Sequence, residues 1–191
     1  HIRGWGHFLG QAFKPGVRVV NLAKSGRSTK TFIKEGLWTK TLAVKPGFVL
    51  IQFGHNDSHA RERPEATDAA TDYREFLRRY VDETRAAGAT PVLVTPMHRR
   101  VFDSNGKVTQ ELLPYTEAMK AVAKEKQAAL VDLHTASGAL FDKLGDAGSA
   151  DLSCSTTDRT HFSEKGAKAM AELVLKQLPT VEPRLKALLK E

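Results

Sequence analysis

Residues 48–57 read FVLIQFGHND and contain the clearest strand signal in the chain. The first six residues are mostly apolar, which is typical of a short buried strand. Gly54 then allows a sharp turn of the backbone, and polar residues follow it. We therefore predict a buried strand over residues 48–53 that runs directly into a polar loop.

Similar segments recur along the chain and alternate with helix-like segments. Three further strands are predicted at residues 17–23, 90–96 and 129–134. Helical spacing of apolar residues, together with Gly and Pro stops, predicts helices at residues 5–13, 67–87, 113–127, 135–145, 164–178 and 183–190, with a short helix inside 24–36. Apolar strands that alternate with amphipathic helices favour an α/β fold whose parallel sheet is covered on both faces.

Length and charge limit the classes of protein that this chain can represent. It has 191 residues, so we predict one domain over residues 1–191. The net charge is +7, but basic and acidic residues are mixed and no basic block carries interleaved aromatics. We therefore expect no nucleic-acid partner, although a mild positive field could attract an anionic small molecule or polysaccharide. No apolar run approaches the roughly 20 residues that cross a bilayer, so no membrane partner is expected.

The cysteine content and the first residues of the chain are the sequence features that relate to the cellular compartment of the protein. Cys154 is the only cysteine, so an intramolecular disulfide is excluded. A thiol nucleophile is one interpretation of this residue, and a chance small residue in a loop is the favoured one. No charged-then-apolar leader opens the chain, so we expect a signal peptide to be absent or already removed.

The loop after the 48–53 strand is a candidate for chemistry, because reactive groups in parallel sheets collect at the carboxyl ends of strands. Asn56 could donate a hydrogen bond into a cleft, as an oxyanion hole requires, although a plain turn has the same composition. His55, Asp57 and His59 alternate at a spacing that metal ligands can have. No second ligand cluster accompanies them, so we predict no metal and keep a metallohydrolase only as an alternative.

Three other loops carry candidate residues. In DRTHF, the Asp158 carboxylate can hold one ring nitrogen of His161 and leave the other as a general base, although a plain surface loop has the same sequence. In NLAKSGRST, the backbone N–H of Gly26 could face an anion, and a helix cap is the alternative. In TPMHRR, Arg99 and Arg100 either contact an anionic substrate or face solvent.

Taken together and in order, these motifs resemble the SGNH (GDSL-type) hydrolases, and within them the rhamnogalacturonan acetylesterase group of carbohydrate esterases. The resemblance spans nearly the whole chain. The matching segments are GWG at 4–6, NLAKSGRSTKTFIKEG at 21–36, FGHND at 53–57, VTPMHRRVFD at 94–103 and DRTHFSEKGA at 158–167.

The resemblance implies a three-layer α/β/α sandwich around a central parallel sheet, of flavodoxin-like type, and a Ser–His–Asp esterase mechanism. By motif, His161 would be the general base and Asp158 the residue that orients it. Gly26, through its backbone N–H, and Asn56, through its side chain, would form the oxyanion hole. No cofactor or metal is implied.

The resemblance also implies the substrate. The expected reaction removes O-acetyl groups from an acetylated plant-wall or pectin-like polysaccharide, and we assign substrate binding to His55, Arg99 and Arg100. A secreted or periplasmic location is expected from this substrate class.

The nucleophile is the point where this sequence departs from the pattern. The family carries its serine in a GDS block at the end of the first strand, and we expect that block and strand upstream of His1. The favoured account is that the upstream piece exists outside the 191 residues. A non-catalytic glycan-binding pseudoenzyme is the main alternative, and substitution by Ser25 or Ser58 is another.

Overall fold

The computed structural model describes residues 2–190 and contains one parallel sheet among them. Its strands are β1 (Phe48–Ile51), β2 (Thr90–Val94) and β3 (Ala129–Val131), in the order β1-β2-β3. Both pairings are parallel, with Leu50 opposite Val92 and Leu93 opposite Leu130. The predicted α/β class with a parallel sheet is therefore confirmed.

Eight α-helices occur within the described residues, and four of them begin at side-chain caps, at Ser28, Asp132, Ser163 and Glu182. The Ser28 side chain accepts from Thr31 N and Ser163 accepts from Gly166 N, so these serines satisfy backbone donors that a helix start leaves open. The helices are α1 (Gly6–Leu9, continued by a 3-10 helix, Gly10–Ala12), α2 (Thr29–Lys34), α3 (Leu37–Ala43), α4 (Asp72–Ala86), α5 (Leu113–Lys126), α6 (Leu133–Gly148), α7 (Glu164–Val181) and α8 (Pro183–Lys186), with a second 3-10 helix at Ala150–Leu152.

Contacts divide the chain into two compact units. The sheet unit comprises Leu22–Pro96 and Leu112–Val131 and holds β1–β3 and α2–α5. Within it, α4 packs against α5, α2 and β2. Its core contains fully buried Tyr73 and Tyr80, and the Tyr80 ring meets Trp38 edge-on at 4.6 Å between centroids.

The helical unit comprises the chain up to Asn21, Met97–Glu111 and the chain from Asp132 onward. Its central helix, α7, packs against α1, α6 and α8. Met170, Val174 and Leu178 recur on one face of α7 at four-residue spacing and are fully buried. The prediction of one domain over residues 1–191 stays a prediction.

One predicted strand is wrong. Residues 17–23 have no regular secondary structure and are half-buried to exposed, with 42% of Val20 and 36% of Leu22 accessible, and no ladder joins them to another described residue. Apolar, β-branched composition favours a strand, but a strand also needs a neighbour to pair with its backbone. The sequence pattern could not supply that neighbour.

Several other element bounds differ from prediction, and three of these differences have local reasons. The 129–134 strand ends at Val131 because Asp132 caps α6, accepting from Thr135 N at 3.0 Å. The 67–87 helix begins only at Asp72 because the Asp68 carboxylate accepts from Ala70 N at 2.8 Å and fixes a turn there. The short helix predicted inside 24–36 is α2, and a further helix, α3, follows it directly after Gly36 (φ 72°).

Candidate active site

Asp158 and His161 form a hydrogen-bonded dyad on the loop that precedes α7. Asp158 Oδ2 lies 2.8 Å from His161 Nδ1, and Oδ1 accepts from the backbone N–H groups of Thr160 and His161 at 2.7 Å each. A carboxylate can only accept here, so Nδ1 carries the proton and the Nε2 lone pair remains. Nε2 forms no hydrogen bond within residues 2–190, and 44% of the His161 side chain is exposed. This is the arrangement that a general base needs.

The electrostatics of Asp158 keep the carboxylate ionised. Partial burial raises its pKa, but hydrogen bonds from His161 N, Thr160 N, the His161 ring and the Cys154 thiol outweigh that effect and hold the pKa well below its usual range. A charge that is stable in this way can compensate an imidazolium next to it. The lone cysteine thus contacts the dyad, which its position in the sequence did not indicate.

The backbone of the dyad loop is tied to its surroundings on both sides. Cys154 N donates to His161 O at 3.0 Å, and Ser163 N donates to Leu152 O at 3.0 Å. Arg3 N also donates to Phe162 O at 3.1 Å. The loop around the dyad is therefore held by hydrogen bonds that come from outside its own turn.

Gly26 and Asn56 lie on two neighbouring loops of the sheet unit. Asn56 Nδ2 donates to Arg27 O at 3.2 Å, so its side chain reaches the residue next to Gly26. Gly26 has φ +76°, a left-handed conformation that favours glycine. One hydrogen bond therefore joins the loops that carry the two predicted oxyanion donors.

Asp57 organises the loop after β1, a role that the sequence analysis missed. Its buried carboxylate accepts from Gly54 N at 3.1 Å, from Thr29 N at 3.1 Å and Thr29 Oγ1, and from Thr67 Oγ1 at 3.0 Å. Burial raises the pKa of Asp57, although these hydrogen bonds oppose the shift. The carboxylate fastens the Gly54 turn to the start of α2.

The spacing of His55, Asp57 and His59 does not produce a metal site. Both oxygens of Asp57 are occupied as described, and His59 Nδ1 pairs with Glu65 Oε1 at 2.6 Å. Between residues 2 and 190, no cluster of three His, Cys, Asp or Glu side chains has an arrangement that could hold a metal ion.

His55, Ser58 and Ser25 sit in the polar loops of the sheet unit. His55 is half-buried, and its carbonyl accepts from the Ser58 hydroxyl at 3.0 Å. The Ser25 carbonyl accepts from Arg27 Nη1 at 2.9 Å. Substrate binding by His55 stays a prediction.

The two arginines of TPMHRR have different environments. Arg99 is partly exposed, with 19% of its side chain accessible, and its Nη1 lies 3.9 Å from Glu111 Oε2. Arg100 is buried, and its guanidinium donates to Asp146 and to Ser153 Oγ. This geometry leaves Arg100 little capacity to bind a substrate, so we carry only Arg99 forward in that role.

A stacked pair of histidines forms a second polar cluster in the helical unit. The rings of His98 and His134 are parallel to within 25°, with centroids 3.7 Å apart, and Gln110 Oε1 lies 3.2 Å from His134 Nε2. Burial lowers the pKa of His98, while the hydrogen bonds to Gln110 and to the His134 carbonyl and the charges of Asp142 and Asp132 oppose the shift. His98 therefore resists protonation.

Comparison with known proteins identifies the family. Residues 1–169 match the model of the GDSL-like lipase/acylhydrolase family. The chain belongs to this family. It is 40% identical to rhamnogalacturonan acetylesterase RhgT of Bacillus subtilis (strain 168), over 90% of this chain and 78% of that protein. It is 35% identical to the probable rhamnogalacturonan acetylesterase YesY of the same organism, over 98% of this chain and 89% of that protein.

A solved structure supports the same fold. The crystal structure of the Bacillus subtilis protein YXIM superposes with a TM-score of 0.82 at 28% identity, covering 93% of this chain and 50% of that one. In the part of the chain that the structure describes, no helix combines the length and apolar character needed to cross a membrane.

Proposed function

We propose that this chain is a serine acetylesterase that removes O-acetyl groups from a rhamnogalacturonan-type polysaccharide of the plant wall. The observation that carries the proposal is its similarity, over most of its length, to two relatives named as rhamnogalacturonan acetylesterases. The family and these relatives make it a carboxylic ester hydrolase of the carbohydrate acetylesterase type. No observation favours a glycan-binding pseudoenzyme or a metallohydrolase.

The dyad geometry supports a Ser–His–Asp mechanism that starts at His161. Asp158 holds Nδ1–H at 2.8 Å, so Nε2 can take the proton of a serine hydroxyl while its oxygen attacks the acetyl carbonyl. The serine of the family's GDS block supplies that hydroxyl in this proposal. The imidazolium next to Asp158 then protonates the departing sugar oxygen, which leaves an acetyl-serine. Water, activated by the same Nε2, hydrolyses this ester and releases acetate.

Gly26 and Asn56 supply the oxyanion hole in this proposal. The tetrahedral intermediate carries negative charge on the former carbonyl oxygen, and preorganised N–H donors stabilise it. Asn56 Nδ2 carries two protons, of which one is used on Arg27 O, so the second is available for the oxyanion.

The test measures acetate release from acetylated rhamnogalacturonan and from acetylated xylan by the full-length protein. We expect faster release from rhamnogalacturonan, and a kcat loss on the order of 10⁴-fold or more in His161→Ala, because the general base is removed. His7→Ala is the matched control, since His7 is exposed, and it should leave kcat unchanged. Full activity in His161→Ala would refute the mechanism. A preference for xylan would refute the substrate assignment.

Arg99 gives this substrate assignment a second test. If its guanidinium contacts a uronate, Arg99→Gln should raise KM for charged glycans more than for a neutral aryl acetate. Equal changes of KM on the two substrates would remove Arg99 from the proposal.

Because plant-wall polysaccharides lie outside cells, we also place the enzyme in a secreted or periplasmic location.

A further inference from the structure

Arg100 is a buried cation with several hydrogen-bond partners in the helical unit. Only 4% of its side chain is exposed. Its Nε donates to Ser153 Oγ at 2.8 Å, and its Nη1 donates to the carbonyl oxygen of Asp146 at 2.6 Å, to the Asp146 carboxylate and to Ser149 Oγ at 3.3 Å. Burying a guanidinium is costly unless its donors are satisfied, and these acceptors satisfy the Nε and Nη1 donors of Arg100.

These contacts lead to the dyad from the N-terminal side. Ser153 directly precedes Cys154 in the chain. The Cys154 N–H donates to His161 O at 3.0 Å, and its thiol donates to the Asp158 carboxylate. Ser153 is therefore linked to both members of the dyad through the neighbouring residue Cys154.

Other contacts lead to Arg159, one of the two residues between the dyad members. Arg100 N donates to Arg159 O at 2.7 Å, and Arg159 follows Asp158 directly. The Arg159 side chain also pairs with the carboxylate of Asp146, which Arg100 holds. One residue thus fixes the dyad loop through its backbone, through Ser153 and through Asp146.

We propose that Arg100 is a positioning residue that holds Asp158 and His161 in their hydrogen-bonded geometry, a role that rests on the proposed esterase function for its effect on turnover. It touches no reacting atom. Lysine cannot replace it, because one ammonium nitrogen cannot reach the two sites that the guanidinium fork reaches, Ser153 on one side and Asp146 on the other. Arg100→Lys therefore keeps the positive charge but loses the contact with either Ser153 or Asp146.

The first measurement is a double-mutant cycle on a neutral aryl acetate with the full-length protein. Arg100→Lys should lower kcat on the order of 10- to 100-fold, with KM little changed, because the base is misplaced and not removed. In an Asp158→Asn background the same change should cost nothing more, since the geometry that Arg100 maintains is already lost. Arg78→Lys is the control: it breaks a similar fork, to Glu125, between α4 and α5, and should leave kcat unchanged.

Equal losses from Arg100→Lys in both backgrounds would overturn the proposal, because a general loss of structure is additive with Asp158→Asn. Thermal unfolding of each variant checks that it is folded at the assay temperature. If Arg100→Lys does not fold, Ser153→Ala removes only the Nε contact and is subject to the same cycle and the same criterion.

A spectroscopic measurement separates this proposal from the proposed function. The Nδ1–H proton of His161, hydrogen-bonded to Asp158, should give a downfield resonance in the wild-type protein that broadens or disappears in Arg100→Lys and persists in Arg78→Lys. An unchanged resonance in Arg100→Lys would overturn the positioning role. A wild-type protein that hydrolyses no acetyl ester would refute the proposed function, and the resonance would still decide the role of Arg100.

Discussion

Asp57→Asn is the most informative single change in the loop that carries Asn56. The buried carboxylate accepts hydrogen bonds from Thr29, Gly54 and Thr67, and thereby joins the turn after β1 to the start of α2. Asparagine has nearly the same shape, so the substitution opens no cavity. It changes only the charge and one acceptor oxygen, which makes the energetic consequence straightforward to derive.

The expected loss follows from counting donors. In the better orientation of the asparagine, its amide oxygen still accepts hydrogen bonds from the hydroxyls of Thr29 and Thr67. Its NH₂ group then faces the N–H of Gly54, and this hydrogen bond is lost because both groups are donors. A hydrogen bond to a charged group contributes about 1.5–3 kcal/mol, and a buried N–H left unpaired costs about 1–3 kcal/mol. Removing a buried charge offsets part of this cost. We expect a net loss of about 2 kcal/mol in the free energy of unfolding where the Asp57 carboxyl group is ionised.

The pH dependence has a definite sign. Burial raises the pKa of Asp57 from its ordinary value of 3.8, against the opposing hydrogen bonds. A carboxyl group whose pKa is higher in the folded state stabilises the fold fully below the unfolded pKa, and this contribution is lost as pH rises through the folded pKa. The variant amide does not titrate. The stability difference between wild type and Asp57→Asn should therefore be largest at about pH 4 and smaller at about pH 8.

Urea unfolding followed by far-UV circular dichroism at the two pH values measures this difference. Asp82→Asn is the control, because Asp82 is exposed and pairs with Lys126 at 2.7 Å, a surface contact that contributes about 0–1 kcal/mol. A difference that widens with pH would contradict the predicted sign, because it would mean that the donors around Asp57 outweigh its burial. A loss as small as that of the control would show that the carboxylate does not organise the loop.

Further predictions concern the helical unit. Gly138→Ala should cost about 1–3 kcal/mol, because the new Cβ would lie 2.8 Å from His98 Cε1, whereas Gly148→Ala in the same helix meets only an ordinary 3.6 Å contact and should be neutral in thermal unfolding. Gly166→Ala should lower the melting temperature more than Gly138→Ala, because its Cβ would lie 2.1 Å from the Leu152 carbonyl oxygen; an equal or smaller shift would contradict this. Because burial lowers the pKa of His98, its contribution is present above its ordinary value of 6.5 and is lost as pH falls through the folded pKa. The stability difference between wild type and His98→Gln in urea should therefore shrink from about pH 7.5 to about pH 5, and a difference that grows would count against the assignment.

Much of the fold could be predicted because its signals are local. The strands β1, β2 and β3 are short apolar runs, and α7 shows Met170, Val174 and Leu178 at helical spacing, so composition and period are sufficient. The segment 17–23 has the same local signal and is not a strand. Strand formation depends on a pairing partner, and no local pattern encodes where that partner lies.

The candidate site likewise combines a contact that local sequence predicts with one that it does not. Asp158 and His161 are three residues apart, so a turn brings them together, and the sequence predicts the contact that the structure shows at 2.8 Å. The sequence could not predict that Asp57 joins several segments, because its donors include Thr29 and Thr67, which lie 28 and 10 residues away. A polar residue after a strand has the same local pattern whether it faces a substrate or the protein's own backbone.

Arg99 and Arg100 show most clearly that burial cannot be predicted from local sequence. They are adjacent and chemically identical, so no sequence pattern separates a side chain that can meet a substrate from one that holds a loop. What separates them is burial, 19% against 4% exposed, and the acceptors of Arg100 lie 46–53 residues downstream. A general base on a loop needs its orientation fixed from outside that loop, since few backbone bonds within the loop restrain it. A buried arginine with a two-sided fork meets that need, which is why we expect its loss to change kcat through Asp158 and His161.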